Sequence, residues 1–314
     1  MLNFYKTLEG HVISLEKPES GCWISAVHPT AAEIGYLTEE LHIERDFVSA
    51  ALDEEESSRI ENEEDQTLVI VDYPVAEQQT DENQTILYTT MPMGIIITPQ
   101  YVITVCLKEN LVVNEMVEGR VKGLQTPLKT RFLLMTLLRI AMRFLQYLKQ
   151  IDRISSTTEQ HLHQSMRNKE LIQLLGLEKS LVFFSTSLKS NEITLEKILR
   201  GRIIKLYEED EEILEDAIIE NKQAIEMAKI YSDILNGTMD AYASIISNNL
   251  NGVMKFLTSI TIIVAIPTMV ASYWGMNVPV PFQNNPWGFT IVLLFSIIIG
   301  IGATLWLNKK NMLK

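Results

Sequence analysis

The stretch from Asn251 to Asn277 constrains this chain more than any other. It is an apolar run long enough to cross a bilayer, it ends in Tyr273-Trp274-Gly275-Met276-Asn277, and it carries a stripe of small and polar residues. Asn251, Met254, Thr258, Thr261, Ala265, Thr268 and Ser272 recur at alternating steps of three and four, which lines them along one seam of a helix wound at the coiled-coil period. The other faces hold Phe256, Leu257, Ile260, Ile262, Ile263, Val264, Ile266 and Val270, so aliphatic side chains can meet lipid while hydroxyls and amides turn inward. One helix has no inside. The seam therefore demands partners, either to bring helices close or to line a wet path, and the stripe alone does not choose between these.

An uncharged loop, Val278 to Trp287, leads from this run into a second apolar segment, Phe289 to Leu307. At 1.5 Å per residue its roughly nineteen residues just cover a hydrocarbon core of about 30 Å. Lys255 lies at the near edge of the first segment, and Lys309, Lys310 and Lys314 follow the second, so the positive-inside rule puts both ends in the cytoplasm. Gly300 and Gly302 either admit a neighbouring helix or are tolerated on a lipid-facing surface. With Gly275-Met276-Asn277 between two C-terminal spans, the sequence resembles the CorA family of magnesium and cobalt transport proteins, whose signature is this tripeptide at the outer end of the first of two C-terminal helices. The resemblance is close from about Asp210 to Lys314 and holds in outline over the N-terminal half.

The rest of the chain leaves room for a soluble part of about 200 residues. A net charge of −13 argues against nucleic acid, whose phosphates need a basic footprint, and suits a cationic partner. Cys22 and Cys106 are too few and too far apart for a zinc cluster and read as reduced core thiols. Met1-Leu2-Asn3-Phe4-Tyr5-Lys6 lacks the pattern of a signal peptide, so the soluble part is expected to stay inside a plasma membrane that the chain crosses twice.

Residues 1–125 read as an α/β domain with a mainly antiparallel sheet. Strands are expected at Cys22 to Val27, Arg59 to Glu61, Thr67 to Tyr73, Thr85 to Thr90, Gly94 to Thr98 and Tyr101 to Leu107, separated by turn formers such as Thr80-Asp81-Glu82-Asn83. Thr30 is expected to cap a helix with Glu33 closing a capping box, and a second helix is expected near Glu44 to Asp53. No phosphate-cradling loop or paired nucleophile and base suggests an enzyme. From Leu128 to Ile266 there is no proline, so long helices follow: a hairpin region over 126–208, with breaks at Gly176, Gly201 or Ser187 to Asn191, and faces of Leu133, Leu137, Ile140, Phe144, Leu148 and Ile151, then Leu171, Leu174, Leu175 and Val182. A stalk helix over 209–273, roughly 95 Å long, then enters the membrane unbroken, bending at Gly237 or Gly252. The filter and external loop occupy 274–288, the second span 289–307 and a basic tail 308–314. Followed backwards, the seam passes Ser247, Ser244, Asp240, Gly237 and Asp233, and a ring of Asp240 carboxylates would gather cations at an inner mouth.

The resemblance implies a homopentameric, funnel-shaped channel for Mg2+, with Co2+ and Ni2+ as further ions. Magnesium sheds its water reluctantly, so neutral oxygens that accept hydrogen bonds from the hydrated ion select it without trapping it. The family gives these roles to the Asn and Gly of the signature, here Asn277 and Gly275, with Met276 packing between subunits and Tyr273 supporting the filter. Asn251 matches a family pore position, Met254 and Leu257 an apolar constriction, Thr268 a polar ring, and Asp240 an acidic residue. Asp216 aligns with a regulatory magnesium ligand on the stalk, but its expected partners fall at Ser49 and Ala50, leaving Asp53, Glu54, Glu55 and Glu56 one turn away as substitutes. The loop lacks the family's acidic residue, leaving Gln283, Asn284 and Asn285. Two other readings remain: a zinc-moving relative, against which Met276 argues, and a membrane-tethered helical interaction protein whose seam serves only assembly.

Overall fold

The computed structural model describes residues 1–78, 86–165, 168–201, 203–204, 206–282 and 285–312, so the expected turn at Thr80 to Asn83, Gln283, Asn284 and Lys314 lie outside the described residues. The chain divides into two compact units, Met1–Gly237 and Thr238–Lys314.

The first unit is built on one seven-stranded sheet of order β2-β1-β3-β7-β6-β5-β4, comprising β1 (Leu2–Leu8), β2 (His11–Leu15), β3 (Trp23–Val27), β4 (Arg59–Glu63), β5 (Gln66–Gln78), β6 (Ile86–Ile97) and β7 (Val102–Cys106). Every neighbouring pair is antiparallel except β3 and β7. The hairpin β1–β2 is an addition to the expected strands. Its two turn residues, Glu9 and Gly10, have φ of 51° and 80°, the twist that a two-residue hairpin needs. Every residue of β1 before its last is half-buried, so no in-and-out alternation marks the strand.

Over the described residues, outside which Thr85 itself lies, the strands expected from Thr85 and from Gly94 fall on one continuous β6 that ends at Ile97, with Pro92 paired to Asp72 in its interior. Proline is tolerated there because the ladder does not use its missing N–H: the N–H and C=O of Asp72 both turn to the side chain of Asn191, at 2.9 and 2.8 Å. Asn191 belongs to α5 (Asn168–Leu199), which runs unbroken through Gly176 and through Ser187 to Asn191. That polar run is a packing face rather than a break. Ser180 Oγ accepts from Tyr88 N at 3.0 Å, Ser187 Oγ donates to Thr90 Oγ1 at 2.8 Å, and Asn191 continues the series down the sheet. The chain does turn at Gly201, whose φ is 64°.

One sheet face is covered by α1 (Ala31–Gly35), a π-helical turn at Tyr36–Glu40, and α2 (Arg45–Ala50), which close a core of Leu37, Phe47, Val48 and Ala51 on Ile24, Ile70 and Ile96. The capping box forms as expected: Thr30 Oγ1 accepts from Glu33 N at 3.3 Å, and Glu33 Oε2 accepts from Thr30 N at 2.8 Å. A Cβ on Gly94 would stand 2.4 Å from Ala51 Cβ, so the approach of α2 to β6 requires glycine. The other face carries α4 (Lys129–Ser165) and α5, with α3 (Leu111–Val117) packed against α4. Leu133, Leu137, Ile140, Phe144, Leu148 and Ile151 are all buried, as their spacing required. On α5 the buried set is Leu174, Leu177, Leu181, Phe184, Leu188, Leu195 and Ile198, whereas Leu175 and Val182 are exposed; the helix presents a 174/177/181/184/188 ridge to the sheet. Cys22 and Cys106 are buried free thiols, and burial pushes that of Cys106 up to about 12.

Helix α6 (Glu208–Trp274) is 67 residues long and passes through Gly237 and Gly252. In the second unit it is followed by the loop and α7 (Gly288–Lys309).

Candidate functional site

Among the described residues three helices are long and apolar enough to cross a membrane: α5, α6 and α7. Within the most apolar window of each, 39% of α5 is buried, against 6% of α6 and 17% of α7. Helix α5 already spends its apolar face on the sheet. The apolar parts of α6 and α7 have no such cover.

In the second unit α7 packs on one side of α6. A Cβ on Gly300 would meet Pro267 Cγ at 3.8 Å, one on Gly288 would meet the Trp274 ring at 3.4 Å, and Val270 shares an apolar cleft with Val292 and Phe295. Gly302 has nothing comparable near it. Ile263, Ile266 and Val270, expected to face lipid, are accordingly half-buried. At about 100° per residue, the face marked by Ser259, Pro267, Val270 and Trp274 is roughly opposite the seam of Thr258, Thr261, Ala265, Thr268 and Ser272. Asp240, Asn251, Met254, Leu257 and all five of those seam residues are exposed in the single chain. The seam is thus the face that α7 leaves open.

Four of the hydroxyls along it are tied to their own helix. Thr258, Thr261 and Thr268 donate to the carbonyls of Met254, Leu257 and Val264 at 2.7, 2.8 and 2.8 Å, and Ser244 donates to that of Asp240 at 3.0 Å. A hydroxyl that spends its proton on the backbone keeps its lone pairs for outside donors. Such a lining presents acceptors, which is what the water shell of a cation requires.

Helix α6 ends at Trp274, where Gly275 N still donates to Ala271 O at 2.9 Å and Met276 N approaches Tyr273 O at 3.4 Å. Tyr273, Gly275, Met276 and Asn277 are all exposed. The loop behind them is fastened to the helix by Trp274 Nε1, which donates to Pro281 O at 3.1 Å, and is closed on itself where Asn285 N donates to Phe282 O at 3.1 Å. A Cβ on Gly288 would strike Phe282 O at 2.4 Å, so this turn depends on glycine. Asn285 Oδ1 accepts from Trp287 N at 2.9 Å at the start of α7 and keeps a second lone pair. Trp274 stands in the tail of the span, but its role as the loop's anchor leaves no mark in the sequence without the loop's geometry.

The candidate regulatory carboxylates lie in the first unit. Asp216 is exposed on α6, and Asp53 is exposed just after α2, its Oδ1 accepting from Glu55 N at 3.0 Å. Glu56 is held by Arg59, and Arg131 stands 3.8 Å from Glu209 and 3.9 Å from Asp210, so parts of both acidic runs have internal partners. Burial raises the carboxyl of Asp210, with Arg131 opposing and Glu209 adding to the shift. Among the described residues of the single chain, no three His, Cys, Asp or Glu side chains cluster to hold a metal ion.

Together these features define a class: a mixed-sheet domain with long helices, followed by two apolar helices joined by a pinned loop, with an open polar seam on the first. The family model described as "CorA-like Mg2+ transporter protein" matches residues 18–310, and the chain belongs to that family. It is 29% identical over 287 residues to the cobalt/magnesium transport protein CorA of Methanocaldococcus jannaschii, covering 88% of this chain and 86% of that one. The CorA of Thermotoga maritima is 30% identical over 148 residues, 43% of this chain and 42% of its own. The complete structure of the M. jannaschii CorA magnesium transporter superposes with a TM-score of 0.82 at 24% identity, over 97% of this chain and 96% of that one. The cytoplasmic domain of ZntB from Vibrio parahaemolyticus, with a TM-score of 0.57 at 13% identity over 79% of this chain and 96% of its own, shares the fold alone.

Proposed function

We propose that this protein moves Mg2+, and also Co2+ and Ni2+, across the plasma membrane into the cytosol as a homopentameric channel, with both termini cytoplasmic. The observation that carries this reading is the open seam of α6, opposite the α7-packed face and ending at Gly275-Met276-Asn277. Five copies turning that face inward would join their acceptor hydroxyls into a wet path. Asp240 gathers ions at its inner mouth, Met254 and Leu257 form a constriction that closes by dewetting, and the Asn277 amide oxygen with the Gly275 carbonyl receives the ion in its water shell. The names of the CorA relatives support magnesium and cobalt as the ions. The family's membrane transport role, with no catalytic constellation needed, makes this a conductor rather than an enzyme.

The test is Mg2+ uptake into liposomes with low internal Mg2+, comparing the wild type with Asn277→Ala. Wild-type uptake lost in a variant that keeps its oligomeric state is the expected result. Uptake by neither form would instead favour a seam that serves assembly alone.

A further inference from the structure

Ser259 stands outside the seam, yet it is the one residue between 251 and 277 that the single chain buries fully, at 0% exposure. Its Oγ lies 2.8 Å from the carbonyl oxygen of Lys255, one turn back in its own helix. The carbonyl oxygen of Met312, beyond the end of α7, lies 3.0 Å away. Both neighbours are acceptors and a hydroxyl has one proton, so the two share it or compete for it. Their situations differ. The Lys255 carbonyl is fixed within α6, whereas Met312 is held by a turn in which Asn311 has a φ of 51°. In that turn Lys310 N donates to Trp306 O and Met312 N to Leu307 O, each at 3.1 Å, over a Leu307 side chain only 1% exposed. Asparagine takes this left-handed conformation readily and a β-branched residue does not.

We infer that Ser259 is a reversible latch, clipping the segment after α7 to the inner half of the first span. When that segment leaves, the hydroxyl proton passes wholly to the Lys255 carbonyl, so release strands no buried donor. A serine bonded only to its i−4 carbonyl also tends to bend its helix. The bend would fall at Lys255 to Ser259, a stretch that contains Leu257 and directly follows Met254. The latch therefore biases the apolar constriction, making Ser259 a positioning residue for conduction. This consequence rests on the channel reading above; the latch itself does not.

The experiment uses the full chain. Amide hydrogen exchange over residues 308–312 is compared for the wild type and four variants. Ser259→Ala removes the donor and Asn311→Val disfavours the turn, whereas Ser259→Thr and Asn311→Gly keep donor and turn. The first two are expected to exchange roughly fivefold faster or more, the worth of one ordinary hydrogen bond, and the second two like the wild type. The regulatory magnesium ligand that the resemblance implies on the stalk leads us to expect that internal Mg2+ closes the path. In Mg2+ uptake, the internal Mg2+ giving half-closure should then shift at least about threefold, in one common direction, for the two latch-breaking variants only. Unchanged exchange in Ser259→Ala and Asn311→Val overturns the latch. Faster exchange with unmoved Mg2+ dependence overturns its coupling to the constriction. Absence of uptake in the wild type itself overturns the channel reading and the coupling with it, while exchange still decides the latch.

Discussion

At the scale of single residues, the first unit depends on a few polar side chains that complete the sheet. Asn191 is the clearest, since its amide satisfies both backbone groups of Asp72 and its Oδ1 also accepts from Ser58 Oγ at 2.8 Å. Asn191→Ala strands these groups in a partly buried place and is expected to cost about 3 kcal/mol, read as a lower thermal midpoint of the detergent-solubilised protein. Asp72 itself makes a pH prediction. Its burial raises the carboxyl above the usual range, with the Ser187 hydroxyl opposing. An acid raised in the folded state favours folding when protonated; that contribution is full below its ordinary value near pH 4 and is lost as pH rises through the raised one. Asp72→Asn should therefore be more stable than the wild type at neutral pH, with the gap closing as pH falls through the raised value and gone by about pH 4. A gap that widens on acidification would contradict this.

At the scale of elements, Gly94 governs how α2 meets β6. Gly94→Ala puts a methyl 2.4 Å from Ala51 Cβ and is expected to destabilise by about 2 kcal/mol, with Ala51→Gly added to it recovering most of the loss. Absence of recovery would mean that the clash lies elsewhere. Features whose cause is local could be read from the chain. Thr30 and Glu33 announce a helix start because both partners of the box lie within four residues, and the seam of α6 shows because its period persists for six turns. Features settled by distant partners could not. Nothing near Pro92 says that Asn191 will relieve the ladder at Asp72, nor does Ser187 to Asn191 look different from a loop until the sheet is set against it. The seam's position opposite α7 was equally hidden, because a periodic stripe says which residues share a face but not which face a neighbour takes. Ser259 escaped for the same reason: its partner is the Met312 carbonyl, and a carbonyl leaves no mark in the sequence.

At the scale of the whole molecule, the channel reading requires several copies, and the acidic first unit then becomes a regulator. Asp53 and Asp216 are exposed in one chain, and the single chain brings no third ligand to either among the described residues. We propose that these carboxylates face one another across subunits, repelling when cytosolic Mg2+ is low and drawn together when Mg2+ occupies the space between them. The repulsion loosens the bundle and the ion closes it, which makes transport self-limiting. A bound ion can shift the equilibrium only by its difference in affinity between the two states, so removing its ligands must move the closing concentration. Asp53→Ala combined with Asp216→Ala is expected to raise the internal Mg2+ needed for half-closure by about tenfold, equivalent to about 1.4 kcal/mol, without changing uptake at low internal Mg2+. Uptake assayed at graded internal Mg2+ gives the answer. Closure by internal Mg2+ at the wild-type concentration in the double variant would remove both carboxylates from the gate and leave the narrow part of the path, at Met254 and Leu257, to respond to the ion by another route.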